Sequence, residues 1–150
     1  MVKVELRKFR FPDYLRVLFM MLDKQYSQER DDTFFRYLKK GFKSVQQRDS
    51  YEFSILVNGK FAGNIGLIKS KKGPYEIGYM VLRKYRSKGI TTKAVEKILK
   101  FGFIKLKIKK VIAITDLKNG ASQRVLRKNK FKIIKRDKKL KELSWEVRKW

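Results

Sequence analysis

Residues 75–94 of this chain read YEIGYMVLRKYRSKGITTKA. The first eight residues are mostly apolar and predict a strand, a basic loop with one glycine follows, and a helical pattern begins at about Thr91. Amides at a helix N-terminus attract anions, and glycine lets the backbone approach a phosphate closely. Residues 86–91 are therefore expected to bind a phosphate, helped by the nearby basic side chains Arg83, Lys84, Arg86 and Lys88.

Upstream of this loop the pattern is that of a β-meander. Residues 51–57 alternate as a strand does, Asn58-Gly59 is a strong hairpin signal, and residues 61–69 return as the partner strand. Gly73-Pro74 breaks the chain before the strand at 75–82. Three antiparallel strands are therefore expected before the loop.

Downstream, helix and strand alternate. We predict a helix over 91–104, a strand covered on both faces over 110–115 and a helix over 119–128. Residues 131–134 and 143–147 are expected to close the chain as an antiparallel pair, with Trp145 inward. The consecutive strand, helix and strand around residue 90 predict one right-handed crossover.

The first 45 residues predict a strand and two helices. Residues 3–8 alternate, Pro12 suits a first helical turn, and Leu15, Leu18, Phe19 and Leu22 share one helical face. Asp31, Asp32 and Thr33 can cap a second helix. With the other elements this makes one mixed α/β domain over residues 1–150.

Composition excludes several chemistries. The chain has 150 residues, 43% of them apolar, and contains neither cysteine nor histidine. Disulfides, thiolate metal sites, a cysteine nucleophile and a Ser-His-Asp triad are therefore excluded, and no metal is expected. No secretory signal or membrane-spanning stretch is visible, which predicts a cytoplasmic protein.

The formal net charge is +26. Such a charge predicts salt-dependent, non-specific attraction to polyanions. The basic residues are scattered from Lys3 to Lys149, which favours a general bias of the surface over one dedicated nucleic-acid site.

Neither the GxxxxGK[ST] nor the GxGxxG phosphate motif is present. Instead, RSKGIT (86–91) resembles the Q/R-x-x-G-x-G/A signature of the GNAT acetyltransferases, and residues 76–94 resemble the RimJ/RimL-like branch of N-terminal acetyltransferases. A second segment, NGASQRVLRKNKF (119–131), resembles that family's N-x-x-S-x-x-x-L-x-K-x-G-F pattern. The resemblance implies a mostly antiparallel sheet of about seven strands with one parallel crossover, flanked by about four helices.

Three positions depart from the family pattern. Thr91 is bulkier than the usual Gly or Ala of the loop, and Lys93 stands where the branch often has Glu. Lys130 replaces the usual Gly before Phe131, which predicts a different ending for the preceding helix.

The resemblance also implies where acetyl-CoA binds: the pantetheine arm against the strand before the loop and beside Asn119, the pyrophosphate on the loop, and the adenosine phosphate near Lys128, Arg83 or Lys84. The implied contacts are Tyr79, Met80, Val81, Arg86, Ser87, Lys88, Gly89, Ile90, Thr91, Asn119, Ser122 and Lys128.

Catalysis would proceed by direct attack of an amine on the thioester. A carboxylate is the natural proton acceptor, and the candidate is Glu76, with Glu52 as the alternative. Ser122 is the candidate to protonate or hydrogen-bond the leaving thiolate, and Tyr79 is the second candidate. A backbone N–H near Tyr79 would stabilise the oxyanion.

The sequence thus predicts an acetyl-CoA-dependent N-acetyltransferase whose acceptor is a protein or peptide N-terminal amine, with a ribosome-associated substrate as one option. A small amine or a lysine side chain is the alternative acceptor. A second function class is an RNA- or ribosome-binding module with this fold and no catalysis. A monomer and a homodimer are both compatible with the sequence.

Overall fold

The computed structural model describes residues 1–22, 50–69 and 73–149. The first half of the fold contains β1 (Val4–Lys8), α1 (Phe11–Leu22), β2 (Tyr51–Val57), β3 (Lys60–Lys69) and β4 (Tyr75–Val81). The second half contains α2 (Ile90–Lys100), β5 (Lys110–Asp116), α3 (Gly120–Lys128), β6 (Lys132–Asp137) and β7 (Glu142–Arg148). The helix predicted after residue 31 lies outside the described residues.

All seven strands form one sheet in the order β1-β2-β3-β4-β5-β7-β6. Neighbouring strands are antiparallel except β4 and β5, which are parallel and are joined through α2. This confirms the mixed α/β fold with a single parallel crossover, and three α-helices lie within the described residues.

One face of the sheet carries the main hydrophobic core. On α2 the buried residues Ala94, Val95, Ile98 and Leu99 recur at helical spacing and belong to the same core cluster as strand residues such as Leu67. Each fully buried aliphatic side chain contributes about 1.5–3 kcal/mol relative to an exposed one. This packing fixes α2, and with it the loop that precedes α2.

The second half of the sheet is covered on the same face by α3. Leu126 of α3 and Trp145 of β7 are almost fully buried, as predicted for Trp145. The indole Nε1 of Trp145 donates a 2.9 Å hydrogen bond to Thr115 Oγ1 on β5, so the one polar atom of this side chain is satisfied. Trp145 therefore ties β7 to β5 and supports the face on which α3 lies.

Helix α1 covers the opposite face, and the apolar residues that share one side of it are not the ones that face the sheet. Leu15, Leu18 and Phe19 are exposed, whereas Asp13 and Met20 are buried against the sheet. Met20 packs with Met80 of β4, which places α1 on the face that carries the even-numbered residues of β4. The hydrogen bonds of the Asp13 side chain to the neighbouring strands determine which side of the helix faces the sheet.

The Asp13 carboxylate joins α1 to two strands. It accepts two 2.7 Å hydrogen bonds from Arg7 on β1 and a 2.8 Å bond from Ser54 Oγ on β2. The Arg10 amide at 3.0 Å and the Arg16 guanidinium at 3.2 Å also donate to it. Burial alone would raise the pKa of Asp13, but the bonds from Ser54, Arg10 and Arg7 outweigh it and lower the pKa.

Two helix ends differ from expectation. The helix predicted to reach residue 104 continues beyond Lys100 as one π-helical turn, Phe101–Lys105. After α3, Lys130 adopts a left-handed φ of 65°, and the amides of Lys130 and Phe131 donate to the carbonyls of Arg127 and Leu126. This is the Schellman ending that glycine normally provides, so the different ending predicted for Lys130 is wrong.

We expect Asp13→Asn to lower the free energy of unfolding by about 2–3 kcal/mol at pH 7, because Arg7 loses its buried partner. The pKa of Asp13 is lower folded than unfolded, so its contribution is complete above the unfolded pKa and is lost as pH falls through the folded pKa. Urea unfolding at pH 7 and pH 3 should therefore show a difference from wild type that narrows in acid. Glu5→Gln, which removes an exposed pair with Lys3, is the control; equal stability of Asp13→Asn and wild type at pH 7 would contradict the prediction.

Candidate functional site

Strands β4 and β5 separate soon after they begin, and the resulting notch is the centre of the site. Their parallel ladder contains only the pairs Tyr75–Val111 and Glu76–Ile112, although β4 continues to Val81 and β5 to Asp116. Beyond Glu76 the edge of β4 that faces β5 is therefore not paired with β5. An extended ligand can occupy such an edge as a further strand would.

The loop at the open end of the notch has the backbone geometry of an anion site. Ser87 and Gly89 have left-handed φ values of 57° and 73°, and Gly89 is the N-cap of α2. The first helical bond runs from the Lys93 amide to the Gly89 carbonyl, so the amides of residues 90–92 have no acceptor within the helix. This arrangement directs N–H groups and the positive end of the helix dipole at the loop.

Side chains of the loop also hold its shape. The Arg86 Nε donates a 3.2 Å hydrogen bond to the Val81 carbonyl at the end of β4, and the Lys88 Nζ donates a 2.9 Å bond to the Lys84 carbonyl. Arg83 to Tyr85 form one 3-10 turn between them. Ile90 is buried and anchors the start of α2, so the loop is fixed at both ends.

On the far side of the notch, the start of α3 approaches β4. Asn119 is the N-cap of α3, and its Oδ1 accepts a 3.0 Å hydrogen bond from the Ser122 amide. The Ser122 hydroxyl lies 2.7 Å from the Tyr79 hydroxyl, and either oxygen can donate. One hydrogen bond therefore links the strand before the loop to the helix after β5.

The environment of Tyr79 keeps its phenol protonated. Burial raises the pKa of Tyr79 to about 12, against a smaller lowering by the hydrogen bond with Ser122. A phenol with such a pKa carries its proton at neutral pH. It can therefore donate a hydrogen bond and is not available as a base.

Two carboxylates lie on the α1 face of the sheet. Glu76 is half-buried on β4, at the last pair before the strands separate. Glu52 is on β2, and burial raises its pKa to about 7, although a hydrogen bond from Asn64 lowers it. Its Oε1 is buried and has no hydrogen-bond partner within the part of the chain that the structure describes.

The other residues expected at the site are distributed along the notch. Met80 points to the α1 face with Met20, so its backbone is the part that can meet a ligand on the edge of β4. Thr91 is half-buried in the first turn of α2, whereas Lys128 is exposed at the end of α3. The fold thus brings Tyr79, Ser122 and the loop to one notch and leaves Lys128 at its outer margin.

Sequence reasoning missed Asn64 and Gly66, which surround the Glu52 carboxylate. A signal was present: an asparagine stands at an inward position of the otherwise apolar strand β3. Within the described ranges, no group of three or more acidic side chains is placed to hold a metal ion. No α-helix in those ranges is long and apolar enough to cross a membrane.

The chain matches a known protein family. Residues 3–132 match the family model described as acetyltransferase (GNAT) domain. An uncharacterized N-acetyltransferase of Bacillus subtilis, YnaD, is 26% identical over 136 residues, which cover 82% of this chain and 75% of that protein.

RimL and PseH are among the solved structures that share the fold. RimL, a ribosomal L7/L12 α-N-protein acetyltransferase in its apo form, superposes with a TM-score of 0.78 at 16% identity and covers 99% of this chain and 96% of its own. The Campylobacter jejuni N-acetyltransferase PseH, in complex with acetyl coenzyme A, superposes with a TM-score of 0.71 at 17% identity, covering 99% and 100%.

Replacing Asn119 should loosen the wall of the notch that α3 forms. We expect Asn119→Ala to lower the free energy of unfolding by about 1 kcal/mol, because the Ser122 amide loses its cap. Thermal unfolding measures this change, and Asn119→Asp, which keeps an oxygen acceptor, should retain most of the stability. An Asn119→Ala protein as stable as wild type would show that the cap does not hold α3.

Proposed function

Since this chain belongs to the acetyltransferase (GNAT) domain family, we propose that it transfers the acetyl group of acetyl-CoA to the α-amine of a protein or peptide N-terminus. The observation that carries this proposal is the notch between β4 and β5, with the Tyr79–Ser122 hydrogen bond on one wall and the loop of Gly89 at its open end. In this proposal the notch holds the extended thioester, the hydrogen-bonded hydroxyl pair supplies a proton donor, and the loop binds the phosphates of the cofactor.

The proposed donor site follows the open edge of β4. The pantetheine arm lies along residues 79–81 and bonds their backbone, while the amide nitrogen of Asn119 donates to it from α3. The pyrophosphate is held by the amides of residues 86–91 and the dipole of α2. For the adenosine phosphate the candidates are Lys128, Arg83 and Lys84, all of which are exposed.

Acetyl transfer itself needs an oxyanion donor and an acid. A backbone N–H of residues 79–81 stabilises the charge that develops on the thioester oxygen. As the carbon–sulfur bond breaks, the Tyr79 hydroxyl gives the sulfur its proton, and the Ser122 hydroxyl orients the phenol from 2.7 Å away. Because the pKa of Tyr79 is raised to about 12, the phenol is protonated whenever the thiolate leaves.

The attacking amine must lose a proton before or as it attacks. A carboxylate accepts this proton, either directly or through a water molecule. Glu76 and Glu52 lie on the same face of the sheet, Glu76 on β4 at the notch and Glu52 on β2, and both are candidates for the role.

The acceptor is proposed to be a protein N-terminus for two reasons. The structurally similar RimL is a ribosomal L7/L12 α-N-protein acetyltransferase. The charge of +26 attracts acidic polypeptides and ribosomal surfaces and repels polyamines. An enzyme that works beside the ribosome would act in the cytoplasm.

Release of free thiol from acetyl-CoA tests this function. The acceptors are peptides with free N-termini, the same peptides with blocked N-termini and one internal lysine, and spermidine. Turnover on free N-termini only is the expected result. A preference for the lysine peptide or for spermidine would show that the acceptor is not an N-terminal amine. If the protein acetylates none of these acceptors and binds RNA tightly, RNA binding without catalysis becomes the better proposal.

Removing the Tyr79 hydroxyl should slow acetyl transfer without weakening donor binding. We expect Tyr79→Phe to lower kcat about 100-fold, because the leaving sulfur loses its acid, while the Kd for acetyl-CoA stays within about twofold. Ser122→Ala, which only releases the phenol from its orientation, should lower kcat about tenfold. Tyr85→Phe in the loop is the matched control, and a kcat of Tyr79→Phe equal to that of wild type would remove Tyr79 from the chemistry.

A further inference from the structure

Two glycines on adjacent strands, Gly66 of β3 and Gly78 of β4, form a row without side chains on the α1 face of the sheet between Glu52 and the notch. Glu52 on β2 pairs with Gly66 on β3, and Gly66 pairs with Gly78 on β4. The three residues therefore stand side by side on adjacent strands and share one face. Gly78 lies two residues after the last pair between β4 and β5, where the notch is open.

The Glu52 side chain bends along this row toward the notch. A Cβ atom placed on Gly66 would lie 2.5–2.7 Å from the carboxylate atoms of Glu52, closer than real Cβ contacts. The carboxylate thus rests directly on the Gly66 backbone, and only glycine leaves room for it there. Its position is one strand closer to the notch than the strand that carries it.

This carboxylate is desolvated but incompletely bonded. The Asn64 amide donates to it, while the buried Oε1 has no partner in the described ranges. Tyr14 faces it from α1, and Arg7, on the neighbouring strand β1, is engaged by Asp13. A buried carboxylate oxygen without a donor is costly, and a ligand that brings positively charged N–H groups removes this cost.

We infer that Glu52, lying over Gly66, is the site that receives the acceptor's ammonium group and the base that deprotonates it. The inference rests on the proposed acetyl transfer and adds to it the acceptor side of the site. It also decides between the two carboxylates in favour of Glu52. Glu76 stands at the closed end of the notch, where β4 is still paired with β5.

The proton balance of the reaction follows. Glu52 takes one proton from the bound ammonium, and the neutral amine attacks the thioester carbon, so that a carbon–nitrogen bond forms and the carbon–sulfur bond breaks. As the amide forms, the amine loses a second proton. This proton goes to the Tyr79 oxygen and replaces the proton that Tyr79 gave to the sulfur. The products are the N-acetyl amide, the free thiol and protonated Glu52, which returns its proton to solvent.

An α-ammonium group gives up its proton more readily than a lysine side chain, because its pKa is about 7.7–8.0 and that of lysine about 10.4. For any one base, transfer from the α-ammonium is therefore easier by roughly a few hundredfold. This difference belongs to the amines themselves and is consistent with the proposed N-terminal acceptor.

The test is Glu52→Gln in the full chain, with an acceptor peptide that wild type acetylates. The amide keeps the shape and can still accept the bond from Asn64, so the fold and the Kd for acetyl-CoA should be unchanged. We expect kcat/KM for the peptide to fall at least about 100-fold, the scale of general-base catalysis. In wild type, activity should rise with pH through about 7, because the base works deprotonated; in the variant the rise should instead follow the pKa of the peptide's own α-amine, about 7.7–8.0.

Glu5→Gln, the same change at an exposed residue of β1, is the control and should match wild type. If Glu52→Gln stays within threefold of wild type, or if Glu76→Gln carries the loss instead, the inference is overturned while the acetyl transfer stands. If wild type acetylates no amine at all, the proposed function fails first, so the two failures are distinguishable.

A second variant tests the position of the carboxylate and not its charge. Gly66→Ala adds one methyl group where the Glu52 carboxylate rests, and the flexible side chain can move away without disturbing the strands. We expect a stable protein with unchanged acetyl-CoA binding and a kcat/KM for the peptide lowered about tenfold or more. A Gly66→Ala enzyme with wild-type kcat/KM would overturn the proposed location.

Discussion

The parting of β4 from β5 is the constraint on which this structure depends. In a sheet, the N–H and C=O groups of an interior strand normally bond to a neighbouring strand on each side. The interior strand β4 pairs with β5 at only two positions and has no partner strand on that side beyond them. The groups of this edge that no other part of the chain bonds are tolerable only where solvent or a ligand can reach them. The proposed position of a linear thioester along β4 depends on this open edge.

A sheet that divides in this way must be held together elsewhere. The core cluster on the α2 side contains residues from both halves, including Leu67, Val111, Leu126 and Trp145. The Tyr79–Ser122 hydrogen bond spans the two halves at the notch itself, and Trp145 bonds Thr115 within the second half. The notch is consequently a fixed opening in a packed domain, which positions its donors before any ligand arrives.

How much of this could be read from the sequence depended on how local each cause is. The loop was predictable, because the glycine, the basic residues and the helix start are neighbours in the chain. The inward side of α1 was not, because periodicity counts Leu15, Leu18 and Phe19, whereas the bonds of Asp13 to Arg7 and Ser54 come from distant strands. The left-handed Lys130 was missed for a related reason: two backbone bonds enforce a geometry that its side chain disfavours.

Two acidic residues on the α1 face of the sheet, Asp13 of α1 and Glu52 of β2, differ in how their oxygens are hydrogen-bonded. Asp13 is deeply buried, yet its oxygens accept bonds from Arg7, Ser54, Arg10 and Arg16, and its pKa is lowered. Glu52 is desolvated with one amide donor and an unpartnered oxygen, and its pKa is raised to about 7. A satisfied carboxylate stabilises the fold and has no capacity left for a proton or a ligand, whereas an unsatisfied one is unstable until a cation reaches it. The difference in hydrogen bonding is therefore the reason why Glu52, and not Asp13, is proposed as the reacting carboxylate.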